Sequence, residues 1–266
     1  SFHRGYPPGV TARDEAIGGV PCRIYPGAQP TVIYLHGGGS MLGGLHSHDA
    51  ICAEICGATG FPLIAVDYRL APEHLHPAAF EDACTVVRAV AAGGASRIVL
   101  AGDSAGGNLA AAVAHATRGE NLGLVGQVLI YPGLGGDRTA GSYLRHAHAP
   151  MLTLADVEFY AGIRFPGGIG PMRPDPTAGP LDDTDYAGLP PTVCITAECD
   201  PLADDGRVYA HRIGQAGGRA ALHEERGLVH GYLRARHSVG RARVSFARLC
   251  GAISALGAGE WPVLPE

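Results

Sequence analysis

A serine between glycines is the first feature of this sequence that could do covalent chemistry. It stands in the run Gly102-Asp103-Ser104-Ala105-Gly106, which fits the pattern G-x-S-x-G. In that pattern a strand turns sharply into a helix, and the glycines leave room for a turn that exposes the serine hydroxyl. An apolar run at 97–101 precedes the serine and an alanine-rich stretch at 105–118 follows it. Ser104 is therefore the candidate nucleophile, and a serine that only caps the following helix is the alternative.

Consecutive glycines follow His36 and a second apolar run, at 31–35. Attack of a serine on a carbonyl creates an oxyanion, which preorganised N–H groups must stabilise. Glycines allow bare backbone amides to turn toward a ligand, so we expect an oxyanion hole formed by the amides of Gly38, Gly39 and Ala105. A plain glycine turn is the alternative. A lysine-containing phosphate loop is excluded because the sequence contains no lysine.

A histidine and an aspartate late in the chain could activate the serine. A histidine must take the serine proton, and an acid must orient that histidine. His230 lies between Gly227 and Gly231, in a predicted loop, although a lone loop histidine is more often a surface residue. Asp200 follows a predicted strand and precedes a proline, a pattern that is also typical of a helix cap. The order serine, acid, histidine favours Asp200 and His230 as the partners of the serine. The fallback acids are Glu198, Asp204 and Asp205.

Strand-like and helix-like stretches alternate along the chain, which predicts an α/β protein with a mostly parallel sheet and helices on both faces. The predicted strands cover residues 20–25, 31–35, 62–66, 97–101, 127–131, 192–196 and 219–224. The predicted helices cover residues 47–59, 78–92, 105–118, 153–164, 203–216 and 237–256. Ligands bind beyond the carboxyl ends of parallel strands, and the candidate residues fall at those ends.

Composition and length indicate one domain that spans residues 1–266. The net charge is -5 and no basic stripe is present, so we expect no nucleic-acid partner. No apolar stretch is long enough for a membrane span. The seven cysteines lack zinc-type spacing and are interpreted as free buried thiols of a cytoplasmic protein. We expect no metal: His46, His48 and Asp49 are interpreted as the polar start of a helix, and His74 and His76 are interpreted in the same way.

Five motifs in this order resemble the bacterial hormone-sensitive-lipase family of carboxylesterases. They are His36-Gly-Gly-Gly39, Tyr68-Arg-Leu-Ala-Pro-Glu-His74, Gly102-Asp-Ser-Ala-Gly-Gly107, Asp200-Pro-Leu202 and His230-Gly231. The resemblance covers about residues 20–250. It implies an α/β-hydrolase fold with a cap, a catalytic triad of Ser104, Asp200 and His230, and no cofactor. The activity it implies is hydrolysis of short- to medium-chain esters through an acyl-enzyme.

The chain departs from this family in two places. Family members usually have some tens of residues ahead of the first strand, where about 19 precede it here, so we expect a cap that is either reduced or truncated in this sequence, and a more open site. Residues 133–190 contain one convincing helix and no core strand, and we interpret them as the insertion that covers the site. The residue after the glycine triplet is often aromatic in the family, whereas here it is Ser40.

Other functions stay open on the sequence alone. An amidase, such as a formamidase, or an acyltransferase would use the same residues on the same scaffold. A non-catalytic small-molecule receptor is an alternative of another class, and a nucleotide-binding protein is disfavoured by the serine at 104. The protein could also form a homo-oligomer, for which the last predicted helix, about 237–256, is a candidate contact surface.

Overall fold

An eight-stranded sheet forms the centre of the computed structural model, which describes residues 5–167 and 174–263. The strands are β1 (Arg13–Ile17), β2 (Val20–Tyr25), β3 (Thr31–Leu35), β4 (Leu63–Val66), β5 (Ile98–Asp103), β6 (Leu124–Ile130), β7 (Thr192–Cys199) and β8 (Ala220–Val229). Their order across the sheet is β1-β2-β4-β3-β5-β6-β7-β8. Strands β3 to β8 are parallel and β1 and β2 are antiparallel, which confirms the predicted mostly parallel sheet.

Helices cover both faces of the sheet, as the alternating pattern predicted. They are α1 (Leu45–Thr59), α2 (Ala78–Ala92), α3 (Ala105–Ala116), α4 (Gly141–Arg145), α5 (Leu154–Arg164), α6 (Ala203–Gln215) and α7 (Gly240–Ala258). Alternate side chains of each strand point to opposite faces. Ile33 and Leu35 therefore pack with α2, α3 and α6, whereas Val32 and Tyr34 pack with α1 and α7. The two apolar layers fix the carboxyl edge of the sheet, where the candidate residues lie.

Strand β1 was missed by the sequence analysis because its side chains are mostly exposed and include three charged residues. It forms a hairpin with β2 in which Ile17 pairs with Val20. The two residues between them, Gly18 and Gly19, both have positive φ, at 59° and 86°. Two glycines between two strands are a strong signal for a tight hairpin, and this signal could have predicted the extra strand.

The end of the sheet also differs from the prediction. Strand β8 continues to Val229, so His230 directly follows a strand instead of lying in a longer loop. The extension was missed because charged residues, Glu224 to Arg226, interrupt the apolar pattern. Helix α7 begins at Gly240, so His237 precedes the last helix and does not open it.

Candidate active site

The turn that presents Ser104 lies between β5 and α3. Ser104 has φ 54° and ψ -118°, a strained conformation for a residue with a side chain. A Cβ on Gly106 would overlap the carbonyl oxygen of Leu35, and one on Gly102 would overlap that of Gly106. The glycines therefore allow α3 to approach the end of β3. The Ser104 side chain makes no capping hydrogen bond to α3, so the interpretation as a simple cap is wrong.

Alanine at Gly106 should destabilise the protein by about 3 kcal/mol or more, because its methyl group would collide with the backbone of β3. The matched control is Gly251→Ala, at an exposed position of α7 where a Cβ meets nothing within 4 Å. That change should stabilise the protein by up to about 1 kcal/mol, the helix preference of alanine over glycine. Urea unfolding measures both values, and equal effects of the two changes would contradict the close approach of α3 and β3.

Three side chains from distant parts of the chain meet at the carboxyl edge of the sheet. The distance from Ser104 Oγ to His230 Nε2 is 2.8 Å, and that from His230 Nδ1 to Asp200 Oδ2 is 2.7 Å. Asp200 is fully buried, and its other oxygen accepts the backbone N–H of Leu202 at 2.9 Å. An ionised Asp200 accepts a hydrogen bond from Nδ1–H of His230, which leaves Nε2 without a proton and able to accept a hydrogen bond from the hydroxyl of Ser104.

The three fallback acids lie away from the imidazole of His230. Glu198 accepts the backbone N–H of Gly227 at 2.6 Å. Asp204 forms ion pairs with arginines near the protein surface. Asp205 accepts backbone amides at the start of the 133–190 segment, and burial raises its pKa to about 6. Each of these acids therefore has another structural role.

The glycine loop after β3 lies beside Ser104 and lines the same cavity. Gly38 and Gly39 have φ 132° and 64°, and their N–H groups meet no acceptor among the residues described. Ala105 is the first residue of α3, where backbone N–H groups have no acceptor within the helix. Gly37 differs, because its N–H donates to Asp103 Oδ1 at 3.0 Å. The geometry leaves the amides of Gly38, Gly39 and Ala105 available to an oxyanion.

Asp103, the residue before the serine, is a buried acceptor that the sequence analysis did not identify as functional. Besides Gly37, its carboxylate accepts hydrogen bonds from Tyr34 at 2.9 Å and from Tyr131 at 3.4 Å, and it lies 3.3 Å from His48 Nε2. Burial opposes its ionisation, but the charge and hydrogen bond of His48 outweigh this effect and hold the pKa of Asp103 well below its usual range. The carboxylate fixes the glycine loop relative to the serine turn.

The polar residues His46, His48 and Asp49 lie at the start of α1, which confirms their interpretation as the polar start of a helix. His48 and Asp49 are buried, whereas His46 is exposed. Asp49 accepts hydrogen bonds from Tyr25 at 2.6 Å and Tyr6 at 2.8 Å. His48 therefore supports Asp103 beneath the glycine loop, and Asp49 joins α1 to β2.

An aromatic ring from the 133–190 segment covers the glycine loop. Tyr160 of α5 lies so close to Gly39 that a Cβ there would come within about 3 Å of the ring. This side of the cavity thus has an aromatic wall that position 40 did not predict. Tyr143, Leu152 and Phe165 from the same segment also line the cavity.

Within residues 5–167 and 174–263, no group of three or more histidine, cysteine, aspartate or glutamate side chains is placed to hold a metal ion. None of the helices in these ranges has the length and apolar character needed to cross a bilayer. All seven cysteines are free thiols, and only Cys199 is not fully buried.

The strand order, the serine at the turn after β5 and the histidine and acid at the same edge define the α/β-hydrolase class of protein. A sequence profile of the α/β-hydrolase fold family matches residues 32–234. The chain belongs to this family.

Similar proteins narrow the assignment within the family. The carboxylesterase NlhH of Mycobacterium tuberculosis is 39% identical over 235 residues, 82% of this chain and 73% of that protein. The ethyl acetate hydrolase of Pseudomonas putida is 34% identical over 240 residues, 85% of this chain and 74% of that protein. A solved esterase structure from Pyrobaculum calidifontis has a TM-score of 0.87 and 34% identity, and the alignment covers 94% of this chain and 87% of that one. The resemblance to the hormone-sensitive-lipase family is confirmed.

Proposed function

We propose that the protein is a serine carboxylesterase that hydrolyses short- to medium-chain carboxylic esters. In this function Ser104 is the nucleophile, His230 the general base and Asp200 the acid that orients it. The observation that supports the proposal most strongly is the continuous contact from Ser104 Oγ to Asp200, at 2.8 Å and 2.7 Å, beside unpaired backbone amides. Ester hydrolysis by the similar proteins named above supports the same activity.

The first half of the reaction transfers the acyl group to the enzyme. His230 Nε2 takes the proton from Ser104 Oγ while that oxygen attacks the ester carbonyl carbon. The carbonyl oxygen becomes an oxyanion and accepts hydrogen bonds from the glycine-loop amides and that of Ala105. As the ester C–O bond breaks, the imidazolium of His230 gives its proton to the leaving alcohol.

The second half returns the enzyme to its starting state. Water enters, and His230 removes one of its protons as the oxygen attacks the acyl carbon. The same amides stabilise the second oxyanion. The bond to Ser104 Oγ then breaks, the oxygen regains its proton from His230, and the carboxylic acid leaves. The buried charge of Asp200 stabilises the imidazolium in both halves.

Residues 133–190 serve in this proposal as the cap over the site. Their side chains form much of the cavity wall, among them Tyr143, Leu152 and Tyr160. Helix α5 has no fully buried residue and begins with a capping box between Thr153 and Asp156. Such a helix is fixed more by its own ends than by a core, which suits an element that adapts to the substrate. The free thiols favour a reducing cytoplasm as the place of action.

A pair of matched substrates tests the proposed activity against an amidase. The protein should hydrolyse 4-nitrophenyl butyrate far faster than the anilide 4′-nitrobutyranilide, since an amide needs protonation of a poorer leaving group. A fluorophosphonate probe should label Ser104, as located by mass spectrometry, and a C2 to C12 ester series should define the chain-length range. Comparable anilide hydrolysis would favour an amidase, and absence of any labelling would favour a non-catalytic receptor.

A further inference from the structure

Arginines line the cavity that contains Ser104, although hydrolysis of a neutral ester gives them no role. Among the described residues, the arginines that line the cavity are Arg138, Arg164 and Arg234. The described lining contains one carboxylate, Asp103, which is already bonded beneath the glycine loop. The chain as a whole has a net charge of -5. The positive charge of the cavity is therefore local and opposite to that of the protein.

Arg164 is the most unusual of the three. It ends α5, its guanidinium lies 4.7 Å from the ring centre of Phe165, and burial lowers its pKa to about 10. At neutral pH it is still a cation. The side chain as a whole is half-buried, and its Nη2 is buried and has no hydrogen-bond partner among the residues that the structure describes. Asp175 favours the cation electrostatically, but its carboxylate bonds His76 at 3.1 Å and forms no ion pair with Arg164.

A buried guanidinium N–H group without an acceptor is costly unless a ligand supplies one. The C-terminal end of α5 favours a cation, but it does not provide an acceptor for Nη2. The planar guanidinium fits a carboxylate, which can accept two parallel hydrogen bonds from it. The position of this side chain in the wall of the catalytic cavity makes a substrate the natural source of that acceptor.

The other two arginines reach the cavity from different parts of the chain. Arg138 lies between β6 and α4 and is half-buried, and Arg234 lies in the 3₁₀ turn Tyr232–Ala235 and is exposed. Charges near the mouth of a cleft raise the local concentration of an oppositely charged ligand and increase its association rate. These two residues are therefore placed to attract an anion that Arg164 then binds.

We propose that the physiological substrate is an ester that bears a carboxylate, bound by the guanidinium of Arg164 and attracted by Arg138 and Arg234. This inference rests on the proposed ester hydrolysis, because it names the substrate class of the same site. The carboxylate belongs either to the acyl part or to the alcohol part of the ester, and the substrates below separate the two cases.

Two pairs of esters test the wild-type protein. The acyl pair is mono-4-nitrophenyl adipate and its methyl ester, and the alcohol pair is 3-acetoxybenzoate and methyl 3-acetoxybenzoate, each corrected for spontaneous hydrolysis. In at least one pair, kcat/KM for the anionic ester should exceed that for the neutral ester by about tenfold or more, in line with a charge-assisted hydrogen bond. The preference should shrink between 0.02 M and 0.5 M NaCl, since salt screens the attraction. Preference for the neutral ester in both pairs, at every ionic strength, would refute the inference.

Variants then identify the residue responsible. Arg164→Met should lower the anionic-to-neutral ratio of kcat/KM by about ten- to hundredfold, mainly through a higher KM for the anionic ester. Arg164→Lys should restore part of the ratio. The control Arg145→Gln removes an exposed arginine of α4 that pairs with Asp204 and is not part of the cavity wall, so the ratio should not change. An unchanged ratio in Arg164→Met would refute the role of this residue.

Further results separate failure of the carboxylate inference from failure of the proposed esterase function. If Arg164→Met does not fold, the double variant Arg138→Gln/Arg234→Gln at the more exposed positions must weaken the salt dependence of the anionic ester, or the inference fails. If neither member of any pair is hydrolysed by the wild-type protein, the proposed esterase function fails. If the neutral esters are hydrolysed but the anionic ones are not preferred, the esterase function stands and only the carboxylate inference fails.

Discussion

Replacement of Ser104 by alanine is expected to lower kcat for 4-nitrophenyl butyrate by about 10⁶-fold, the scale of the loss when the triad serine of subtilisin is removed. The change deletes the oxygen that lies 2.8 Å from His230 Nε2, and with it the acyl-enzyme. In the variant, the oxyanion hole can still stabilise the transition state for direct attack by water. This residual catalysis is much slower than catalysis by the complete triad. The variant should remain folded, because the side chain of Ser104 caps no helix.

The control for this substitution is Ser238→Ala, which removes an exposed hydroxyl far along the chain and should leave kcat unchanged. Steady-state rates should be normalised to protein concentration, and a fluorophosphonate should be used to titrate any trace of wild-type protein in the variant preparation. Fluorophosphonate labelling should also disappear in Ser104→Ala and persist in Ser238→Ala. If purified Ser104→Ala retained more than about 1% of the wild-type rate, another residue would have to be the nucleophile.

The main parts of the fold could be predicted because they depend on local patterns. Apolar runs and helix-like stretches located each of the parallel strands and both covering layers. A strand that is buried on both faces is a continuous apolar run, which can be recognised in the sequence. The positions of Ser104 and Asp200 at strand ends followed from the same pattern, whereas His230 was predicted in the loop after the last strand and was chosen for its order in the chain. Their contact followed from the rule that parallel strands end at one edge of the sheet.

Asp103 shows what local patterns could not predict. It occupies the variable position of the serine motif, so its residue type is not specified by the chemistry of the turn. Its hydrogen-bond partners, Tyr34 and Gly37, are 69 and 66 residues away in the chain. A single sequence does not indicate which distant groups donate hydrogen bonds to the same buried carboxylate. The same limit explains why the sequence predicted the helix that contains His48 but not the contact of its imidazole with Asp103.

The 133–190 segment was predicted least well, for a related physical reason. Its helices pack on the site and contribute little to the central core, and the short helix α4 was missed. The sequence shows an arginine at 164, but only the folded segment shows that its half-buried side chain lies in a cavity wall, with a buried Nη2 that bonds none of the described residues. The proposed carboxylate site therefore lies in the part of the chain that sequence patterns describe least.

Replacement of Asp200 by asparagine is expected to lower kcat by about 10⁴-fold, as the same change does in a serine-protease triad. Asp200 is fully buried and accepts from His230 Nδ1 at 2.7 Å. An asparagine amide that donates toward Nδ1 stabilises the tautomer with its proton on Nε2, which cannot accept the proton of Ser104. The amide oxygen can still accept the N–H of Leu202, so the fold should be retained and KM should change little.

The matched control for Asp200→Asn is Glu198→Gln, at the fallback acid on the same strand. Glutamine keeps an acceptor for the N–H of Gly227, so this variant should keep kcat within a few-fold of wild type. The two variants are compared by kcat and KM on one ester across pH, with unfolding measured alongside. A larger loss of kcat in Glu198→Gln than in Asp200→Asn would show that Glu198, and not Asp200, orients the imidazole. The expected result is the reverse, because Asp200 contacts Nδ1 of the imidazole while Ser104 contacts Nε2.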